Sequence, residues 1–89
     1  MTMSNNGLTK LLEECGELSQ VAAKLIAFPS GNHPDGGLPL QQRLEEEIAD
    51  VCAAIALVAD NFKLDPDRIM ARGDKKRAQF EAWHKDPNV

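Results

Sequence analysis

Residues 9–25 read TKLLEECGELSQVAAKL, and residues 43–55 read RLEEEIADVCAAI. In both, apolar residues recur at helical spacing while acids crowd into the same turns. Around the first stretch, Leu8, Leu11, Leu12, Cys15, Leu18, Ala22, Leu25 and Ile26 fall three and four residues apart. That spacing predicts a helix over about 8–28, stopped by Pro29. Around the second, Leu40, Leu44, Ile48, Val51, Ile55, Val58 and Phe62 form the stripe of a helix over about 39–62, with Pro39 suited to its first turn. Between them, PSGNHPDGGLP (29–39) is too rich in Gly and Pro for regular structure, so 29–38 reads as a loop. After KLDPD, Asp65 can cap a third helix with Pro66 in its first position, over about 65–84. No strand pattern competes, and there is no obvious internal repeat. The expected class is all-α: a helical hairpin plus a third helix, in one domain over 1–89.

A chain of 89 residues buries only about 60% of the surface it exposes when unfolded, so its own core is marginal. The third helix is weakly apolar, and one long apolar face of the hairpin stays uncovered. Two hairpins paired into a four-helix bundle would cover it, so a homodimer or a larger even assembly such as a homotetramer is expected. Cys15 and Cys52 sit inside apolar helical patterns and read as buried thiols; neither CxxC nor a four-cysteine zinc arrangement is present. A net charge of −4 argues against gripping a nucleic-acid polymer, which needs a basic surface. It leaves open a single nucleotide held through a metal. The longest strongly apolar run, VCAAIALVA (51–59), is far below the roughly 20 residues that span a bilayer. The opening MTMSNNG has no basic region ahead of an apolar one, so no signal peptide is read there. A soluble, cytoplasmic protein without a membrane partner is expected.

At about 100° per residue, Glu47 falls inside the apolar stripe of the second helix, between Leu44 and Val51. Asp50 lies at the edge of that stripe, on the side of Ala54 and Asn61. On the first helix Glu14 borders the stripe beside Leu11 and Leu18, and Glu17 lies one step further round. Glu13 points more toward water, and Glu45 and Glu46 read as ordinary solvated acids. Residues three apart on a helix have Cβ atoms roughly 5–6 Å apart. Two carboxylates about 5 Å apart repel by about 3 kcal/mol at an effective dielectric near 20. With Glu14, Glu17, Glu47 and Asp50 near the contact edges of two packed helices, either protons are taken up or a cation sits among them. A charge inside an apolar stripe is costly without a partner. Lys10, Lys24 and Arg43 all lie off the apolar faces, which leaves bases of the third helix as the remaining protein partners. An all-oxygen ligand set suits Mg²⁺, with Mn²⁺ as a substitute, rather than Zn²⁺. A di-iron bundle would want Glu-x-x-His pairs, and His33 and His84 lie in a loop and at a helix end.

EECGE at 13–17 and EEIAD at 46–50 resemble the two acidic motifs of the MazG-like all-α nucleoside triphosphate pyrophosphohydrolases, E-E-x-x-E on one helix and E-x-x-D on the next. That superfamily also contains dimeric dUTPases and phosphoribosyl-ATP pyrophosphohydrolases. The likeness spans about residues 8–83. It implies that Glu14, Glu17, Glu47 and Asp50 are Mg²⁺ ligands in the catalytic site, with Glu13 orienting water or a ligand. It also implies cleavage of a (deoxy)nucleoside triphosphate substrate between its α and β phosphates, giving a monophosphate and pyrophosphate. The family's Lys, Asn and Arg on the third helix have Arg72, Lys76 and Arg77 as their nearest positions, so the first two depart from the pattern. The segment 18–46 is long for the family, which makes GNHPDGG an elaboration.

Positive charge for phosphates is expected on the third helix, where Arg68, Arg72, Lys75 and Gln79 recur at helical steps; Arg72 and Lys76 are the chosen contacts, with Lys75 beside them. The competing reading of that face is a solvated surface. Asn61 is a candidate for a sugar or phosphate hydrogen bond, and Phe28 for stacking on a base. Phe62 is expected in the core, and Trp83 between the third helix and the hairpin. Two other functions stay open: a non-catalytic helical dimerisation or regulatory module that keeps the fold, and a phosphoribosyl-ATP pyrophosphohydrolase-like activity.

Overall fold

The structure, a computed structural model, describes residues 4–85; the remainder of the expected 1–89 domain lies outside the described residues. It is all-α. A short turn, Ser4–Gly7, leads into α1 (Leu8–Ala27); α2 (Leu40–Phe62) and α3 (Pro66–Lys85) follow. α1 ends one residue earlier than its apolar pattern predicts. Phe28 precedes Pro29, whose ring disfavours helical backbone in the residue before it, and Phe28 leaves the helix at φ −126°, ψ 74°. Its N–H still caps Lys24 O at 2.7 Å. At the other end, Gly7 (φ 92°) turns the chain into α1 and lies so close to α2 that a Cβ there would stand 3.2 Å from Leu57.

The loop between α1 and α2 is clipped by polar contacts. Arg43 Nη2 donates to both oxygens of Asp35, at 2.9 and 3.1 Å, and the Gly37 N–H donates to Asp35 Oδ1 at 2.8 Å. These contacts pull the Asp35 carboxyl down to about 2, the Gly37 N–H first and Arg43 next. His33 stacks edge-on against Phe28, with ring centroids 4.9 Å apart. The Leu40 N–H donates to Gly31 O at 2.8 Å, and Leu40 is completely buried under the loop. α2 stops at Lys63, which takes a left-handed conformation (φ 53°), and the Leu64 N–H donates back to Ala59 O at 2.9 Å. Asp65 caps α3 as expected: its Oδ1 accepts the N–H groups of Asp67 and Arg68 at 3.0 and 3.3 Å.

α1 and α2 pack side by side as the hairpin, and the Ser4–Gly7 turn rests on both. Val21, Leu40, Ala54 and Val58 are its buried apolar residues. α3 builds no packed interface with them and buries none of its residues. The result is a flat, open molecule measuring 40 × 39 × 16 Å, with a radius of gyration of 15.9 Å. A compact chain of this length would have about 12 Å. Four expectations are corrected by that openness. Cys15 and Cys52 are exposed in the single chain. Phe62 is 44% exposed. Trp83 packs against Phe80 of its own helix, centroids 5.5 Å apart, instead of against the hairpin. In each case the apolar pattern is present and the surface it would meet is not supplied by the same chain. None of the described helices is long and apolar enough to cross a membrane.

Candidate metal centre on the helical hairpin

The 3.6-residue period decides which acids α1 and α2 turn toward each other. Glu14, in the middle of α1, faces α2 and is buried, at 7% exposure. Glu47 is half-buried and Asp50, one turn further along α2, is exposed. One carboxylate oxygen from each of these three lies within 4.8 Å of the others. Glu17 stands outside this triad, close enough to Glu47 that its charge acts on it. The remaining candidate acid, Glu13, faces out and meets Lys10 Nζ at 3.4 Å.

Two buried oxygens in the cluster, Glu14 Oε2 and Glu47 Oε2, have no hydrogen-bond partner. Buried polar atoms are nearly always paired, so two orphaned oxygens in one cluster need an explanation. Glu47 is pushed above the ordinary carboxylate range, first by loss of solvation, then by the charges of Glu17, Asp50 and Glu14. The residues fit a hard divalent cation: the donors are all oxygen, they come from two rigid helices, and two of them lack any donor from the protein.

Beside the triad runs an open groove of about 310 Å³, lined by Lys10, Glu14, Asp50, Ala53, Ala54 and Leu57. Lys10 lies off the apolar face as expected, and its pairing with Glu14 is what the sequence reading did not draw. Its ammonium lies 3.3 Å from Glu14 Oε1, one turn along the same helix. The signal was present in the spacing, since Lys10 stands three residues before Glu13 and four before Glu14, the separations at which helix side chains meet. Lys10 is held above its ordinary range, chiefly by the hydrogen bond to Glu14 and then by the Glu13 charge.

The expected phosphate contacts are elsewhere. Arg72 and Lys75 are exposed on α3, Lys76 donates to Gln79 at 3.2 Å, and none of the three lines the groove. Asn61 donates its side-chain amide to Asn6 O at 2.9 Å, which ties the N-terminal turn to α2. That bond occupies part of the amide proposed for a ligand. Compared with known proteins, the chain matches no family model, no curated protein and no solved structure.

Proposed function

We propose that this protein is a Mg²⁺-dependent nucleotide pyrophosphohydrolase of the MazG-like type, acting in the cytoplasm as a homodimer or homotetramer. One observation carries the reading: two buried carboxylate oxygens on facing helices, each without a donor, belong to an acid cluster at the edge of an open groove. Glu14, Glu47 and Asp50 would hold the cation, with Glu17 completing the set from beside Glu47. The ion would supply charge neutralisation at the phosphates and make water at the site more acidic.

The chain's own residues account for the rest. Asp50 and Lys10 stand at the open side of the groove, where an anionic chain of phosphates would meet one ammonium. Ala53, Ala54 and Leu57 offer a small apolar wall for the less polar part of a ligand. A carboxylate of this cluster that is not engaged by the cation would take the proton from the attacking water. Glu13, held by Lys10, keeps its role as an orienting neighbour. The exposed apolar side chains of α3, Phe80 and Trp83 among them, and the extended shape support pairing with a second copy. In such a pair Arg72, Lys75 and Lys76 would be brought toward the groove of the other hairpin.

The test is to incubate the purified protein with a panel of ribo- and deoxynucleoside triphosphates and Mg²⁺ or Mn²⁺, and to assay pyrophosphate. Release of pyrophosphate with formation of the monophosphate is expected for at least one base. No release from any of them favours the second reading, a non-catalytic dimerisation module. The position of Arg72, Lys75 and Lys76 away from the groove of their own chain is the observation on that side.

A further inference from the structure

The proposed reaction gives the acids their work but leaves unexplained why a lysine is already among them. Lys10 Nζ bridges Glu13 Oε2 at 3.4 Å and Glu14 Oε1 at 3.3 Å. Its side chain is 47% exposed while that of Glu14 is 10% exposed, so the lysine has room to swing and the glutamate does not. It satisfies one oxygen of Glu14 and leaves the other, buried Oε2, without a donor. A divalent ion on the same carboxylate would put two like charges within a few ångströms, each weakening the hold of the other. Such a penalty is reciprocal: whatever the ion costs the ion pair, the ion pair costs the ion. The open side of the groove, which Lys10 also lines, is where a displaced ammonium can go.

We propose that Lys10 is a tethered competitor of the divalent cation: it neutralises Glu14 when no ion is bound, and metal binding releases it to pair with a phosphate in the groove. This rests on the divalent-cation reading above. A merely structural Lys10, one that holds Glu14 in place for the ion, predicts the opposite sign, because its loss would weaken metal binding.

The experiment is calorimetric titration of chelator-stripped protein with Mg²⁺, for wild type, Lys10→Met and Lys10→Arg, followed by titration with inorganic pyrophosphate at saturating Mg²⁺. Lys10→Met is expected to bind Mg²⁺ about two- to fivefold more tightly, the worth of a half-exposed ion pair, and to bind pyrophosphate about fivefold or more weakly. Lys10→Arg keeps the charge and should stay near wild type in both. Unchanged or weaker Mg²⁺ binding by Lys10→Met overturns the proposal, as does unchanged pyrophosphate binding. Wild type that binds no Mg²⁺ overturns the divalent-cation reading, and the role of Lys10 with it. A Mg²⁺-binding wild type with an indifferent Lys10→Met overturns the lysine alone. Circular dichroism checks that Lys10→Met is folded, and Lys10→Gln repeats both titrations as a second neutral variant.

Discussion

A carboxylate on the apolar side of a helix is the residue-scale anomaly from which the functional reading grows. Glu47 shares its surroundings with Glu14, Glu17 and Asp50, and its charged form is disfavoured by all three and by loss of water. Glu47→Gln removes one of those repelling charges. We expect the variant to melt at a higher temperature than wild type in chelator; under the proposed cation site, Mg²⁺ should raise the melting temperature of wild type and raise that of the variant much less. Under the proposed reaction, turnover should fall by about 100-fold or more, beyond the roughly 10- to 100-fold that loss of an outer partner of a metal ligand costs. A Mg²⁺-induced rise that survives intact in Glu47→Gln would remove this residue from the site. The same group sets a pH dependence. Its folded value lies above the ordinary 4.5, so the stability it contributes is whole below pH 4.5 and is lost as pH rises through the raised value. Thermal melts in chelator from pH 4.5 to 8 should show that decline in wild type and a flatter course in Glu47→Gln.

At the scale of elements, helix ends and the loop follow from local chemistry. Asp65 caps two N–H groups of a helix that has no tertiary packing to compensate for their loss. Asp65→Ala should therefore cost about 1 kcal/mol, read as lost helicity in circular dichroism at low protein concentration. The clip around Asp35 has the opposite pH sign to Glu47. Its carboxyl is pulled from 3.8 to about 2, so its contribution is present above pH 3.8 and lost as pH falls toward 2. Protection factors at Gly37 and Leu40, taken against the intrinsic exchange rate at each pH, should fall over that interval in wild type. In Asp35→Asn they should be low at every pH. Gly37 itself tolerates no side chain without moving the clip, since a Cβ there would fall onto the Arg43 guanidinium.

The whole molecule is open. Its radius of gyration, 15.9 Å, exceeds the roughly 12 Å of a compact chain this long, and α3 displays Ile69, Met70, Phe80 and Trp83. Under the proposed function, these exposed apolar side chains would be covered by a second copy. Sedimentation should give an even multiple of the 9.8 kDa chain. Trp83 is the only tryptophan, so its emission reports directly on whether α3 is covered. A blue-shifted band that moves to the red on dilution, together with slow thiol labelling of Cys15 and Cys52 at high concentration, is the expected behaviour. A monomer with water-exposed Trp83 at all concentrations would remove the paired-hairpin architecture.

The sequence alone determined the parts that depend on neighbours along the chain. Periodicity, Pro29, Pro39, Pro66 and the Asp65 cap located three helices to within a residue or two, and the same period put Glu14, Glu47 and Asp50 near the packed faces. Tertiary structure decided what depends on distance through space: which three acids meet, and that Glu17 stands just outside them. It also decided that α3 stands away from the hairpin, leaving Phe62, Trp83 and both thiols exposed. Helical spacing specifies the direction of a side chain within a turn. It carries no information on whether the surface facing an apolar stripe comes from the same chain.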